Sequence, residues 1–268
     1  MIPAVRSEFR KFFTTRMWWG MAIAIFVAGA GFAALFGFLF TSEAFTSGEA
    51  QGQGAPVGDA TQIASSVYTG GLSIGYLLLL TIGVLQIGAE YRHKTVTSTF
   101  LATPRRLRAM LAKVVALLGI GALYGLISLL GSVTVGAAVL TFKDQDAFPS
   151  GSVARTLALS LLVLGLWALI GLGIGILIPN QVAALLIGVG VAWIIEPLIG
   201  FAMSFWDFGR EHIAQFLPTS ATNAIVNAVS QNPQEVRLEW WGGALVLGAY
   251  AAVLAGLGIW RTLRSDVS

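Results

Sequence analysis

The sequence predicts an all-α, polytopic membrane protein with six transmembrane helices and both termini cytoplasmic, and three observations carry that expectation. Only 11% of the 268 residues are charged, less than half the roughly 25% of an average soluble domain, and mean hydropathy is +0.79. The charges are clustered, leaving uncharged runs of more than twenty residues at 17–40, 60–89, 114–142, 156–195 and 240–260. Finally, basic and acidic residues sort to opposite sides once six spans are threaded alternately.

A helix needs about 20 apolar residues at 1.5 Å each to cross a hydrocarbon core about 30 Å thick. Four runs suit one crossing each. The run 156–195 is twice that length and is interrupted by Ile178-Pro179-Asn180-Gln181; Pro lacks an N–H and Asn favours turns, so it reads as two antiparallel helices joined by a tight hairpin. The expected membrane helices are therefore 18–40, 67–89, 110–140, 153–178, 181–205 and 242–260, within a single domain, 1–268. Twelve of the 16 Lys and Arg then fall on one side and four (Lys143, Arg155, Arg210, Arg237) on the other. The positive-inside rule makes the first side cytoplasmic. Nine acidic residues, from Glu43 to Glu239, fall in the outer loops.

Segment 1–17 places Val5, Phe9, Phe12, Phe13 and Met17 at helical spacing with Arg6, Arg10, Lys11 and Thr14 on the other side. It reads as an interfacial helix with its Phe face in the lipid and its basic face toward anionic headgroups; a plain basic flank to the first span is the alternative. A 24-residue apolar run is too long for the core of a signal peptide. Outside, 41–66 is a polar loop rich in Gly, Ser and Gln.

The stretch 90–109, between spans two and three, is too polar to cross and too patterned for a linker. Val96, Phe100 and Leu101 mark a short helix. Thr103-Pro104 then signals a helix start, Thr as N-cap and Pro at the first position, and Arg105, Arg106 and Arg108 form a basic elbow. Spans three to six carry Gly121, Gly125, Gly171, Gly175, Gly188, Gly190, Gly248, Gly256 and Gly258, which predicts close helix packing. The extracellular segment 206–241 contains Leu217-Pro218-Thr219-Ser220, a turn and cap, followed by apolar positions at helical spacing. This predicts short helices dipping into the outer leaflet or lying on it.

Glu196 is the one acidic residue expected inside a span, in its outer third. An ionisable group there is costly, so it is either a substrate or proton site or a structural carboxylate, paired with Arg210 or capped locally beside Pro197. Chemistry is otherwise sparse. There is no Cys, only two His, and none of Lys11, Lys94, Lys113 or Lys143 follows a glycine, so no Walker A lysine exists. No metal site or catalytic residue is expected, nor binding to nucleic acid.

Six spans, an amphipathic basic helix before the first, a long outer segment before the sixth, and Glu90-Tyr-Arg-His-Lys-Thr…Leu101-Ala-Thr-Pro-Arg-Arg…Lys113 after the second together resemble the ABC-2 type exporter permeases. His93-Lys94 stands where that family usually has Gly just before the Thr. The resemblance implies a permease subunit of an ATP-driven exporter in a bacterial cytoplasmic membrane. It would pair with a second permease copy and with separate ATPase subunits that bind ATP and Mg. Glu90, Arg92, Thr95, Thr99, Phe100, Arg105 and Arg106 would form the coupling helix and docking surface, with Phe9, Arg10, Phe12 and Phe13 in the interfacial helix. The cargo would be an apolar or amphipathic drug, antibiotic, peptide or lipid. An ion-coupled carrier or channel using Glu196, or a non-pumping immunity or sensor subunit, are the rival readings.

Overall fold

The structure is a computed structural model that describes residues 1–42, 59–95, 101, 105–227 and 237–264. Those residues are predominantly helical, with no strand among them. In chain order the helices are α1 (Ile2–Phe13), α2 (Met17–Phe40), α3 (Ala60–Thr69), α4 (Leu72–Arg92), α5 (Arg106–Phe142), α6 (Gly151–Leu177), α7 (Gln181–Ser204), α8 (Pro218–Ile225) and α9 (Trp240–Arg264). Six units are long and apolar enough to cross a bilayer: α2, α3 with α4, α5, α6, α7 and α9. The chain is a multi-pass membrane protein by that criterion.

Several ends differ from the sequence expectation. The second unit begins at Ala60, where Asp59 and Gln62 form a reciprocal capping box that satisfies two otherwise orphaned donors; the polar loop therefore ends earlier than expected. Helix α5 starts at Arg106, with Arg105 as an N-cap in extended backbone that makes no side-chain cap. Thr103 and Pro104, expected to supply that start, lie outside the described residues. The hairpin at 178–180 forms as expected: the Asn180 side chain accepts from the amides of Val182 and Ala183 at 3.0 and 3.1 Å, capping α7.

Helix α6 is the hub. It packs on α4, α5 and α9 and touches α3, α7 and α8, and α3, α4 and α6 are the most enclosed helices, whereas α2, α7 and α9 keep most of their surface outward. Glycine permits the tightest crossing. A Cβ on Gly83 of α4 would strike the carbonyl oxygen of Ala168, and one on Gly171 of α6 would strike that of Leu80, so the two backbones touch with no side chain between them. In lipid such small-residue contacts replace the hydrophobic drive that water supplies to soluble cores. The large buried side chains around this crossing include Trp167, Leu79, Leu80, Ile82 and Ile87.

Helix α1 packs part of its Phe face on the bundle. Phe12 is buried and meets Tyr124 of α5 edge to face at 5.8 Å, and Phe9 lies over Gly119 of α5. Phe13 instead turns to Trp18, at 5.7 Å, and stays partly exposed. The apolar stripe is thus divided between α5 and the outside, and Glu8, on the inward side, is also buried.

Candidate functional site

The end of the bundle that carries α1 gathers the charges that the apolar core cannot. Glu8 and Lys11 are three apart on α1 and so share a face. Glu90 sits in the last turn of α4, with Gln86 one turn before it, and Lys113 lies in the second turn of α5, roughly 10 Å beyond that helix's start at 1.5 Å per residue. Lys113 is fully buried; its Nζ donates to Glu8 Oε2 at 2.8 Å and to Glu90 Oε1 at 2.5 Å. Lys11 Nζ donates to Glu8 Oε1 and Glu90 Oε1, each at 2.7 Å. Gln86 Nε2 reaches Glu8 Oε2 at 3.4 Å.

Two carboxylates and two ammoniums balance to zero, which is what makes the burial tolerable: an unpaired ion there costs several kcal/mol, by general experience. Burial pushes the Glu8 carboxyl up, but Lys113 and Lys11 outweigh it and hold it below the ordinary 4.5. Burial likewise pushes the Lys11 ammonium down, and the hydrogen bonds from Glu8 and Glu90 outweigh it, leaving it above 10.5. The cluster is a structural clamp: it ties α1, the foot of α4 and the foot of α5 together, and those two feet bracket segment 93–105.

The sequence-predicted docking residues separate accordingly. Glu90 faces this buried cluster, not the surface, with 5% exposure. Arg92, Thr95 and Arg105 are exposed. Arg106 is half-buried, and its Nη1 donates to the Thr262 carbonyl of α9 at 3.3 Å. Arg10 is exposed on α1. Thr99 and Phe100 lie outside the described residues. Helix α4 ends in a paired-hydrogen-bond reversal: the Thr95 amide donates to the Glu90 carbonyl at 2.9 Å and the Lys94 amide to the Tyr91 carbonyl at 3.2 Å. Lys94 has φ of 54°, the left-handed position that usually takes glycine in this motif.

Glu8, Lys11, Gln86 and Lys113 were not among the predicted site residues. One signal was present: Glu8 is the sole acid before Glu43, in a helix otherwise basic.

At the opposite end, Glu196 is 4% exposed. Pro197 has no N–H to donate to the Trp193 carbonyl one turn back, and the turn Val191–Ile195 widens to a π-helix. Trp193, Ile194 and Ile195 stay outward while Glu196 turns inward. Its Oε1 accepts the Thr219 amide at 2.5 Å and the Thr219 hydroxyl at 2.7 Å. Helix α8 has no side-chain cap from Leu217, so the carboxylate of α7 caps it, where the positive end of the helix dipole favours an anion. Of the two structural partners expected for Glu196, Arg210 is instead bound to Asp207 at 2.9 Å, and the cap comes from 23 residues away. Thr222 on α8 in turn accepts from Trp167 Nε1 at 3.0 Å, and Trp167 stacks on Tyr76 of α4 at 4.4 Å.

No group of three or more His, Cys, Asp or Glu that could hold a metal occurs among the described residues. Comparisons of the chain with protein families, with curated proteins and with solved structures return no match.

Proposed function

We propose that the chain is the membrane-spanning permease subunit of an ATP-driven exporter of the ABC-2 type, working as a dimer with separate ATPase subunits in a bacterial cytoplasmic membrane. In this reading both termini are cytoplasmic, the chain itself is not an enzyme, and ATP and Mg bind the partner. The cargo is an apolar or amphipathic compound such as a drug, antibiotic, peptide or lipid.

The observation that carries the reading is the charge clamp. A partner that pushes on segment 90–109 must move membrane helices, and the clamp joins both feet of that segment to α1 through Glu8, Lys11, Glu90 and Lys113. Force applied at the loop is thereby delivered to α4 and α5 together, and through the α4–α6 crossing to the hub. The exposed Arg92, Thr95 and Arg105 supply polar and positive contacts for such a partner, charges that steer and orient more than they bind.

The test is co-purification with an ATPase subunit sought in the reading frames adjacent to this chain's gene. Replacing Phe100 and Arg105 together with Asp abolishes capture of the ATPase and leaves membrane insertion intact; unchanged capture overturns the proposal.

A further inference from the structure

At the end of the bundle away from α1, an open groove of about 260 Å³ lies between the first turns of α6, the end of α8 and the start of α9. Arg155 and Glu239 both line it. Both are exposed, and among the described residues neither has an ion-pair partner, although they border one groove. The Arg155 guanidinium lies over the Trp240 ring at 4.2 Å from its centroid. One Glu239 oxygen, Oε2, accepts the Trp241 indole N–H at 2.6 Å, which orients the carboxylate. Leu159 and Ile225 give the groove apolar lining beside the polar Ser152, Thr156 and Asn227.

A cation and an anion held apart beside an aromatic pair complement a ligand that carries both signs. A guanidinium fixed on an indole face keeps its fork of N–H donors and matches a phosphate. A carboxylate flanked by indole rings accepts a primary ammonium. Tryptophans at the end of a spanning helix favour headgroup depth, and Trp240 and Trp241 open α9. An anionic lipid would meet Glu239 with like charge, and a simple anion would leave Glu239 and the apolar lining residues unused.

We propose that this groove binds the headgroup of a zwitterionic phospholipid of the phosphatidylethanolamine class, phosphate on Arg155 and ammonium on Glu239, with the upper acyl carbons over Leu159 and Ile225. The assignment requires only that α6 and α9 span a bilayer, and it stands apart from the exporter reading.

The full chain, purified in detergent, is mixed with phosphatidylethanolamine, with phosphatidylglycerol of the same acyl chains, or with soluble glycerophosphoethanolamine, and bound species are counted by native mass spectrometry. Phosphatidylethanolamine is retained about tenfold over phosphatidylglycerol, and Arg155→Ala lowers its retention about tenfold, as for loss of a charged hydrogen-bonding pair. Glu239→Gln removes the preference between the two lipids, and the soluble headgroup does not bind. Ser152→Trp, at an exposed position on the rim, fills the groove and blocks retention with every charge in place, so the test survives if Arg155→Ala fails to fold. Equal retention of the two lipids by the wild-type chain overturns the proposal. So does unchanged phosphatidylethanolamine retention in Ser152→Trp, or binding of the soluble headgroup as tight as that of the lipid.

Discussion

Replacing Lys113 with Met keeps a long unbranched stem and removes only the charge. The side chain is fully buried and its ammonium lies 2.8 Å from Glu8 and 2.5 Å from Glu90. At an effective dielectric of about 20, each contact is worth about 6 kcal/mol before desolvation is subtracted. The variant leaves two carboxylates sharing Lys11, whose side chain is 39% exposed, so one negative charge is left uncompensated. Removing one partner from a buried charge pair costs roughly 3 to 5 kcal/mol, the expected loss in reversible unfolding of the purified chain in micelles. Adding Glu90→Gln restores neutrality around the Glu8–Lys11 pair, and the double variant recovers at least about 2 kcal/mol of that loss, a coupling that a double-mutant cycle isolates. The pH dependence carries the same signature. The Glu8 carboxyl titrates below 4.5 when folded, so its stabilisation is complete above pH 4.5 and disappears as pH falls through the lower folded value. Lys11 titrates above 10.5 when folded, so its part is complete below that pH and lost as pH rises through the higher value. In Lys113→Met the acid limb moves to higher pH. A single variant within about 1 kcal/mol of the wild type, or a double variant less stable than the single, would refute the clamp.

Two further predictions follow from the helix contacts. Glu196→Gln weakens the cap on α8 by about 1 to 3 kcal/mol, and hydrogen exchange rises in Pro218–Ile225 while α9 stays protected; unchanged exchange in α8 would remove the capping role. Gly83→Ala or Gly171→Ala drives a methyl into a backbone carbonyl that cannot rotate away and costs about 3 kcal/mol, whereas Gly248→Ala on α9, with nothing within 4 Å, is neutral or gains up to about 1 kcal/mol of helix propensity; equal thermal shifts for the two classes would contradict the crossing.

The spans were legible because lipid imposes one rule on long stretches: charge is excluded. Turn and cap chemistry located the hairpin at Pro179-Asn180 and the short helix after Leu217. Packing was legible only in part. Gly121, Gly125, Gly171, Gly175, Gly188 and Gly258 do abut neighbouring helices, but Gly190, Gly248 and Gly256 face open space, and composition cannot separate them because a lipid-facing glycine and an interface glycine look alike. The clamp left one trace in the sequence, the lone acid Glu8 in a basic helix; its members lie at 8, 11, 90 and 113, and only the fold brings them within hydrogen-bond distance. Treating α1 as an apolar stripe opposed by basic residues left Glu8 without a place. For Glu196, a search for a cationic side chain pointed to Arg210. The partner is the amide end of a helix, a positive pole written in backbone geometry and in no residue's charge.

The contact of α4 with α6 limits how this molecule can deform. Side chains between helices act as bearings, because rotamer changes let one helix slide along another. Where Gly83 and Gly171 bring backbone against backbone there are no such bearings, and sliding would require the helices to separate first. The pair therefore behaves as a single beam; by the same criterion α9 is tied to α6 at Gly173 and α2 to α5 at Gly29 and Gly131, which leaves α7, among the described spanning helices, without a backbone-to-backbone glycine contact.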